Sequence, residues 1–336
     1  MSKRKKITWK DALLKSSLPL EFLVSEKLSK IDFLTRNDYS FFRKDENGIE
    51  KEFSTDVYAL NLLKKKDLDW AKLEFLIECK YSHESVNWVF IPETINNEII
   101  GGSISTIQEL SCYRFDTDEI FNFDSELEYC TKGVELHSTG SNPQAIKRAI
   151  NQLSYSIAHL AARNIKSLSY SQSSLDPSIS IISPILVTTA DLFVLNREVS
   201  LESIKHSNDL EEVTEKVPYL IMENLGSQDL NRYCAKIAAS SFVQNRKEME
   251  YKIDQLSKCI DPDSIFNLTM YPYYLDEKPR RASERILIVN YDHFEDVIKE
   301  IINSINKAGK TLFQIADFKR DEVTNATKVI PFTKKT

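Results

Sequence analysis

The sequence predicts an α/β (α+β) protein with a mixed central sheet flanked by helices. Three observations predict it. A helical pattern at 18–34 leads straight into three β-type stretches, a second long helix opens at Pro143, and the β-type runs beyond it alternate with further helical patterns. Interleaved elements of this kind bury their apolar faces as layers around one sheet. The 336 residues suit one large core, and no composition break divides them.

In the first helix, Leu20, Val24, Leu28 and Ile31 recur at helical spacing and Pro19 fits the first turn. Tyr39–Arg43 reads as a strand. Asn47-Gly48 is a hairpin turn signal, and the return strand runs through Phe53–Leu60. Lys64-Lys65-Lys66-Asp67 reads as a polar connection to a third strand, Leu73–Tyr81, and Trp88–Pro92 as a further short strand. Residues 93–140, where acids alternate with aromatics, read as an insertion covering the site. Asn142 then caps a helix with Pro143 in its first turn and Ile146, Ile150, Leu153, Ile157 and Leu160 as its apolar stripe. Ile181–Thr189 is a buried strand, and Leu192–Leu195 is its hairpin partner or continuation. Pro218–Glu223 and Arg285–Val289 are strands, while 235–258 and 294–305 are helices. The chain thus divides into a basic segment at 1–17, one domain over 18–318 and a polar tail at 319–336.

Composition excludes several classes. Hydrophobic residues make up 42% and charged residues 28%, as in ordinary globular proteins, and the net charge of −6 advertises no nucleic-acid binding while leaving room for a local basic groove. Only seven glycines are present, and no GxGxxG, GxxxxGK[ST] or GxSxG occurs, against a Rossmann enzyme, a P-loop NTPase and an α/β-hydrolase. Five scattered cysteines without a CxxC pair indicate a reducing compartment. The basic start has no apolar run after it, and no stretch has the length of a membrane span, so a cytoplasmic protein is expected.

Two charges stand near the end of the third strand. Glu78 and Lys80 lie two apart and share one face of it, while Ile77, Cys79 and Tyr81 face the other way. A structural ion pair at a strand end explains them equally well. Asp56 sits in the preceding strand, where antiparallel pairing can bring it within a few ångströms of Glu78. Two carboxylates with the Cys79 backbone carbonyl make a hard-oxygen site suited to Mg²⁺ or Mn²⁺. Lys80 beside it could orient or deprotonate a bound water and steady charge developing on phosphorus. Glu21, near a helix N-terminus, is explained by the helix dipole alone.

With Glu21 on the first helix, Asp56 in Ser-Thr-Asp-Val and Glu78-Cys79-Lys80 as an E-x-K element, the chain resembles the PD-(D/E)xK nuclease superfamily over roughly residues 18–195. The resemblance implies a restriction-endonuclease-like core, Asp56 and Glu78 as ligands of Mg²⁺ (or Mn²⁺), Lys80 as catalytic residue and Glu21 as a secondary acid. Gln152 is similar to the helical glutamine of RecB-like members, one residue out of their spacing, and Thr55 stands where their proline is written.

A metal-dependent endonuclease acting on DNA in preference to RNA, in defence against foreign DNA, is therefore expected. A separate ATPase, helicase or targeting subunit and a homo-oligomer are its conceivable partners. A catalytically silent nuclease-fold subunit that binds nucleic acid or a protein is the competing reading. A Cys or His enzyme is the third; His83, His137, His159, His206 and His293 have no motif spacing to any cysteine.

Overall fold

The computed structural model of the chain describes residues 8–44, 48–65, 68–93, 106–110, 127–170, 179–224, 226–242 and 277–306. In chain order it contains α1 (Trp9–Lys15), α2 (Leu18–Ser29), β1 (Leu34–Lys44), β2 (Glu50–Lys65), β3 (Leu68–Lys80), β4 (Asn87–Pro92), β5 (Gln108–Leu110), β6 (Tyr129–His137) and β7 (Gly140–Asn142). There follow α3 (Pro143–Tyr170), β8 (Ile179–Thr188), β9 (Asp191–Leu195), α4 (Leu201–His206), β10 (Thr214–Val217), β11 (Tyr219–Glu223), α5 (Gln228–Phe242), α6 (277–284), β12 (Arg285–Asn290) and α7 (294–306). The architecture is mixed α/β: one large mixed sheet with helices packed on it.

Local chemistry accounts for the element ends. Thr8 caps α1 through a capping box with Asp11, a start that the reading of 1–17 as a basic segment does not anticipate. The helix expected over 18–34 stops at Ser29 because Asp32 takes φ 66°, which a right-handed helix cannot accommodate, and Leu34 already belongs to β1. Leu20, Val24 and Leu28 carry the buried stripe of α2. Asn142 Oδ1 accepts from the Gln144 N–H at 3.1 Å, as expected for a cap of α3. The helix expected from 235 starts at Gln228, and its part beyond Phe242 lies outside the described residues.

The strand order is β1-β2-β3-β8-β12-β11-β6-β4-β9-β10, with β5 on β8 and β7 on β6. The first three strands form the expected antiparallel meander, with Val57 opposite Ile77 and Asn37 opposite Val57. They are longer than their apolar cores. Lys64 and Lys65 belong to β2, beyond a register shift at Leu63/Lys64, rather than to a connection; Lys66 and Asp67 lie outside the described residues. β3 then runs parallel to β8, and β8 to β12. Pro184 is tolerated in this central strand because β5 pairs only with Ser180–Ile182 and β12 takes over at Ile185, so that among the described residues Ser183 and Pro184 have no ladder partner on that edge.

The sheet curves back on itself. β8 and β9 are five places apart in the strand order, yet only Thr189 and Ala190 join them. Two residues bring their ends within about 11 Å, whereas five flat strand spacings would need about 24 Å. β9 is thus a continuation of β8, not its hairpin partner: it pairs with β4 and β10. The β3–β4 connection crosses the same seam beside it, where Ser82 N–H donates to Thr189 Oγ1 at 2.8 Å and Thr189 Oγ1 donates to the Ser82 carbonyl at 2.8 Å. Residues 129–137, expected within a covering insertion over 93–140, lie in the sheet, since β6 stands between β11 and β4; most of 93–126 lies outside the described residues.

Adjacent residues of β3 show two packed faces. Phe75 stacks on Phe33, just past α2, with ring centroids 5.2 Å apart, while Glu74 turns toward α3. The Glu74 carboxylate is fully buried and answered by Lys72 at 2.9 Å, Arg163 at 3.0 Å, Tyr58 at 2.5 Å, Ser180 at 3.1 Å and the Asn164 amide. This is the buried charge of the strand with a purely structural role. Among the described residues, no helix is long and apolar enough to cross a membrane.

Candidate functional site

The site begins with an irregularity shared by two strands. In β1, the Asn37 amide oxygen accepts from Ser25 of α2 at 3.1 Å, whereas Tyr39 bonds His159 of α3 at 3.0 Å. Residues two apart in a regular strand share a face; here they do not, because Asp38 between them takes φ 59°. In β2, Thr55 donates to Ser156 of α3 at 2.5 Å, and Tyr58 stacks on Tyr39 on that same side although it lies three residues on. The strand therefore switches face at Asp56, opposite Asp38 in the register of Asn37 with Val57 and Tyr39 with Thr55. The ladder between β2 and β3 ends at Val57 and Ile77. Asp56 and Glu78 come next, and the Asp56 side chain takes the place of the next ladder partner: its Oδ2 accepts from the Cys79 N–H at 2.7 Å.

Glu78 and Lys80 meet as their spacing predicts, with Lys80 Nζ 2.5 Å from Glu78 Oε1. The Glu78 side chain has no exposure while that of Lys80 retains 36%. Among the described residues, the buried Glu78 Oε2 has no hydrogen-bond partner. Ser17, the N-cap of α2 at φ 60°, fixes the approach of that helix, its Oγ accepting from the Tyr81 N–H at 3.2 Å. One turn further along, Glu21 faces the same group of charges. The cluster lies at the carboxyl end of parallel β3 and β8, beside the seam of the curved sheet.

The electrostatics confirm that these groups feel one another. Burial, then the Asp56 charge, push the Glu78 carboxyl up to about 8, outweighing the Lys80 ammonium; Glu21 adds a smaller push. Glu21 itself rises to about 7, first through burial, then through Asp56 and Asp38, against Lys80. Asp56 is raised by burial, although the Cys79 N–H and Lys80 oppose the rise. Lys80 pays for its own burial but ends above its ordinary value because Glu78 and Asp56 hold its proton. Carboxylates outnumber cations here, and their mutual repulsion favours either protons or a bound cation.

Asp38 is the residue that sequence reasoning passes over. Its charge raises both Glu21 and Asp56. The available signal was Asn37-Asp38 inside a β-type run, since these two residue types tolerate the left-handed region best after glycine. Gln152 is placed differently: its amide donates to the Ser54 carbonyl at 2.6 Å, so its hydrogen bond runs to the β2 backbone rather than to a carboxylate.

The residues present fit a small hard cation. Glu78 Oε2 is a buried acceptor awaiting a partner, and Asp56 lies across from it. The Cys79 carbonyl leaves the strand on the same edge as its N–H, toward Asp56. Among the described residues, no group of three or more His, Cys, Asp or Glu side chains is gathered to hold a metal. Mg²⁺ needs fewer, being held by one or two carboxylates with water and substrate phosphate.

The three described thiols make poor nucleophiles; Cys112 and Cys259 lie outside the described residues. Cys79 is buried and pushed well above the usual thiol range by burial and the surrounding carboxylates, and burial likewise lifts Cys130 to about 12 and Cys234 to about 11. His159 is half-buried and lowered to about 4, first by desolvation and then by Arg163, and its ring stacks on Phe41. Compared with protein-family models, curated proteins and solved structures, the chain has no match.

Proposed function

We propose that the protein is a Mg²⁺- or Mn²⁺-dependent endonuclease of restriction-endonuclease-like fold, acting on DNA in preference to RNA. The observation that carries this reading is the meeting of Asp56, Glu78 and Lys80 at one strand end, with Glu78 Oε2 buried and unanswered among the described residues. A structural ion pair would leave no orphaned oxygen; the buried Glu74, with every oxygen engaged, is what such a pair looks like in this same strand.

Asp56, Glu78 and the Cys79 carbonyl would hold the cation, which when bound supplies a Lewis acid and an acidified water. Glu78 and Asp56 raise Lys80 above its ordinary value against its own burial, which suits its ammonium to counter negative charge on the phosphoryl oxygens. Glu21, pushed up to about 7 in the cation-free protein, is able to exchange a proton near neutral pH.

The test is cleavage of supercoiled plasmid and single-stranded DNA with Mg²⁺, by the wild type and by Lys80→Ala. Metal-dependent cutting that Lys80→Ala loses supports the reading. A folded wild type that cuts neither DNA nor RNA with Mg²⁺ or Mn²⁺ overturns it in favour of a silent binding subunit.

A further inference from the structure

A groove of about 820 Å³ opens directly beyond Lys80. Its floor is Tyr81–Val86, one wall is α1 through Leu14 and Lys15, and the other is the end of β6 through Glu135 and His137. The volume falls within the range of ligand-binding clefts, roughly 300–1,000 Å³. Because Tyr81 follows Lys80 in the chain, and its N–H is tied to the α2 N-cap, the groove and the candidate site share one boundary.

The charges along the groove argue against a track for a phosphate backbone. Lys15 faces three carboxylates, Asp11, Glu84 and Glu135. Asp11 is engaged in the α1 capping box, and Glu135 is held by the Trp88 indole N–H at 3.3 Å and by His137 Nε2 at 2.7 Å. A duplex wants several cations along its phosphates. This groove instead offers the flat rings of Tyr81, His83 and His137, with hydroxyl and carboxylate acceptors beside them, and Glu135 fixes the plane of the His137 ring. Rings that stack and acceptors that take exocyclic amino groups are the chemistry of unpaired bases.

We propose that this groove holds the unpaired bases next to the phosphate at Lys80, so that the substrate is single-stranded or locally opened at the cut. The proposal rests on the nuclease reading. Its test is binding of labelled oligonucleotides, single-stranded and duplex of the same sequence, to the full chain carrying Lys80→Ala, with Ca²⁺ present. Two exposed groove positions are then changed on that background. His137→Ala removes a ring, and Ser85→Trp fills the groove.

Tighter binding of the single strand, weakened about tenfold by each change with duplex binding unaltered, is the expected result. Equal binding of duplex and single strand, or groove changes without effect while the wild type still cuts DNA, overturns the proposal and leaves the nuclease reading standing. Absence of both binding and cutting removes the two together.

Discussion

The buried Glu78 carboxyl makes the stability of the cation-free protein depend on pH in a direction opposite to that of most paired carboxylates. Its ordinary value is 4.5 and the fold raises it to about 8. The folded chain therefore keeps a proton that the unfolded chain releases between those values. Stability from this group is fully present below pH 4.5 and is lost as pH rises through 8. At 1.36 kcal/mol per pH unit the loss amounts to roughly 4–5 kcal/mol, and the full burial of the side chain leaves little solvent screening to discount it. Glu78→Gln keeps the shape and an acceptor for Lys80 but cannot ionise. Urea unfolding at pH 5, 7 and 9 with a chelator present measures both proteins. The wild type loses stability relative to Glu78→Gln by about 3 kcal/mol or more between pH 5 and 9. Mg²⁺ at pH 8–9 restores the wild type and leaves the variant unchanged, because the cation takes the place of the proton. Parallel pH profiles for the two proteins would refute the reasoning, since Glu78 would then be an ordinary solvated or fully paired carboxylate.

Other outcomes follow from single contacts. Lys80→Ala lowers Mg²⁺-dependent cleavage by about 100-fold or more in a plasmid assay, the scale of losing one electrostatic stabiliser of the transition state. Glu74→Ala costs about 3 kcal/mol in urea unfolding, because Tyr58, Asn164 and Ser180 lose their shared acceptor. Gly133→Ala costs about 1–3 kcal/mol by the same measurement: a Cβ there would meet Phe90 Cε1 at 2.5 Å and Ile146 Cδ1 at 3.1 Å, both side chains of the packed core. Asp38→Asn lowers the pKa of Glu21 below about 7, so that it ionises more readily, which carboxyl NMR titration reads directly.

The meander and its charges were legible because their signals are local. Alternation placed β1 to β3, and a spacing of two put Glu78 beside Lys80. Pairing of consecutive strands brought Asp56 to the same end. Three things escaped. Alternation failed where β1 and β2 switch faces at Asp38 and Asp56, because the positive φ of Asp38 resets the parity of β1 and leaves no hydrophobic trace. The length of β2 was underestimated because Lys64 and Lys65 extend an edge-side region that needs no apolar residues. The curvature of the sheet is invisible in any window: the apolar runs on both sides of Thr189-Ala190 look the same whether the chain turns back or carries on. Likewise, Glu74 and Glu78 read alike in sequence. Only tertiary partners separate the saturated carboxylate from the one with an orphaned oxygen.

The pairing of β3 with β8 has a consequence during synthesis. When Lys80 leaves the ribosome, the meander can already form, but the far edge of β3 has no neighbour until β8 appears about a hundred residues later. At elongation rates of roughly 5–20 residues per second, that edge waits on the order of 5–20 s. An open, apolar strand edge invites pairing with other chains. Glu78 and Lys80, at its carboxyl end, keep their charges in water for that interval. The same two residues proposed to handle a phosphodiester in the finished protein would then also guard a nascent strand edge, and replacing both by apolar residues is expected to lower the soluble yield on expression.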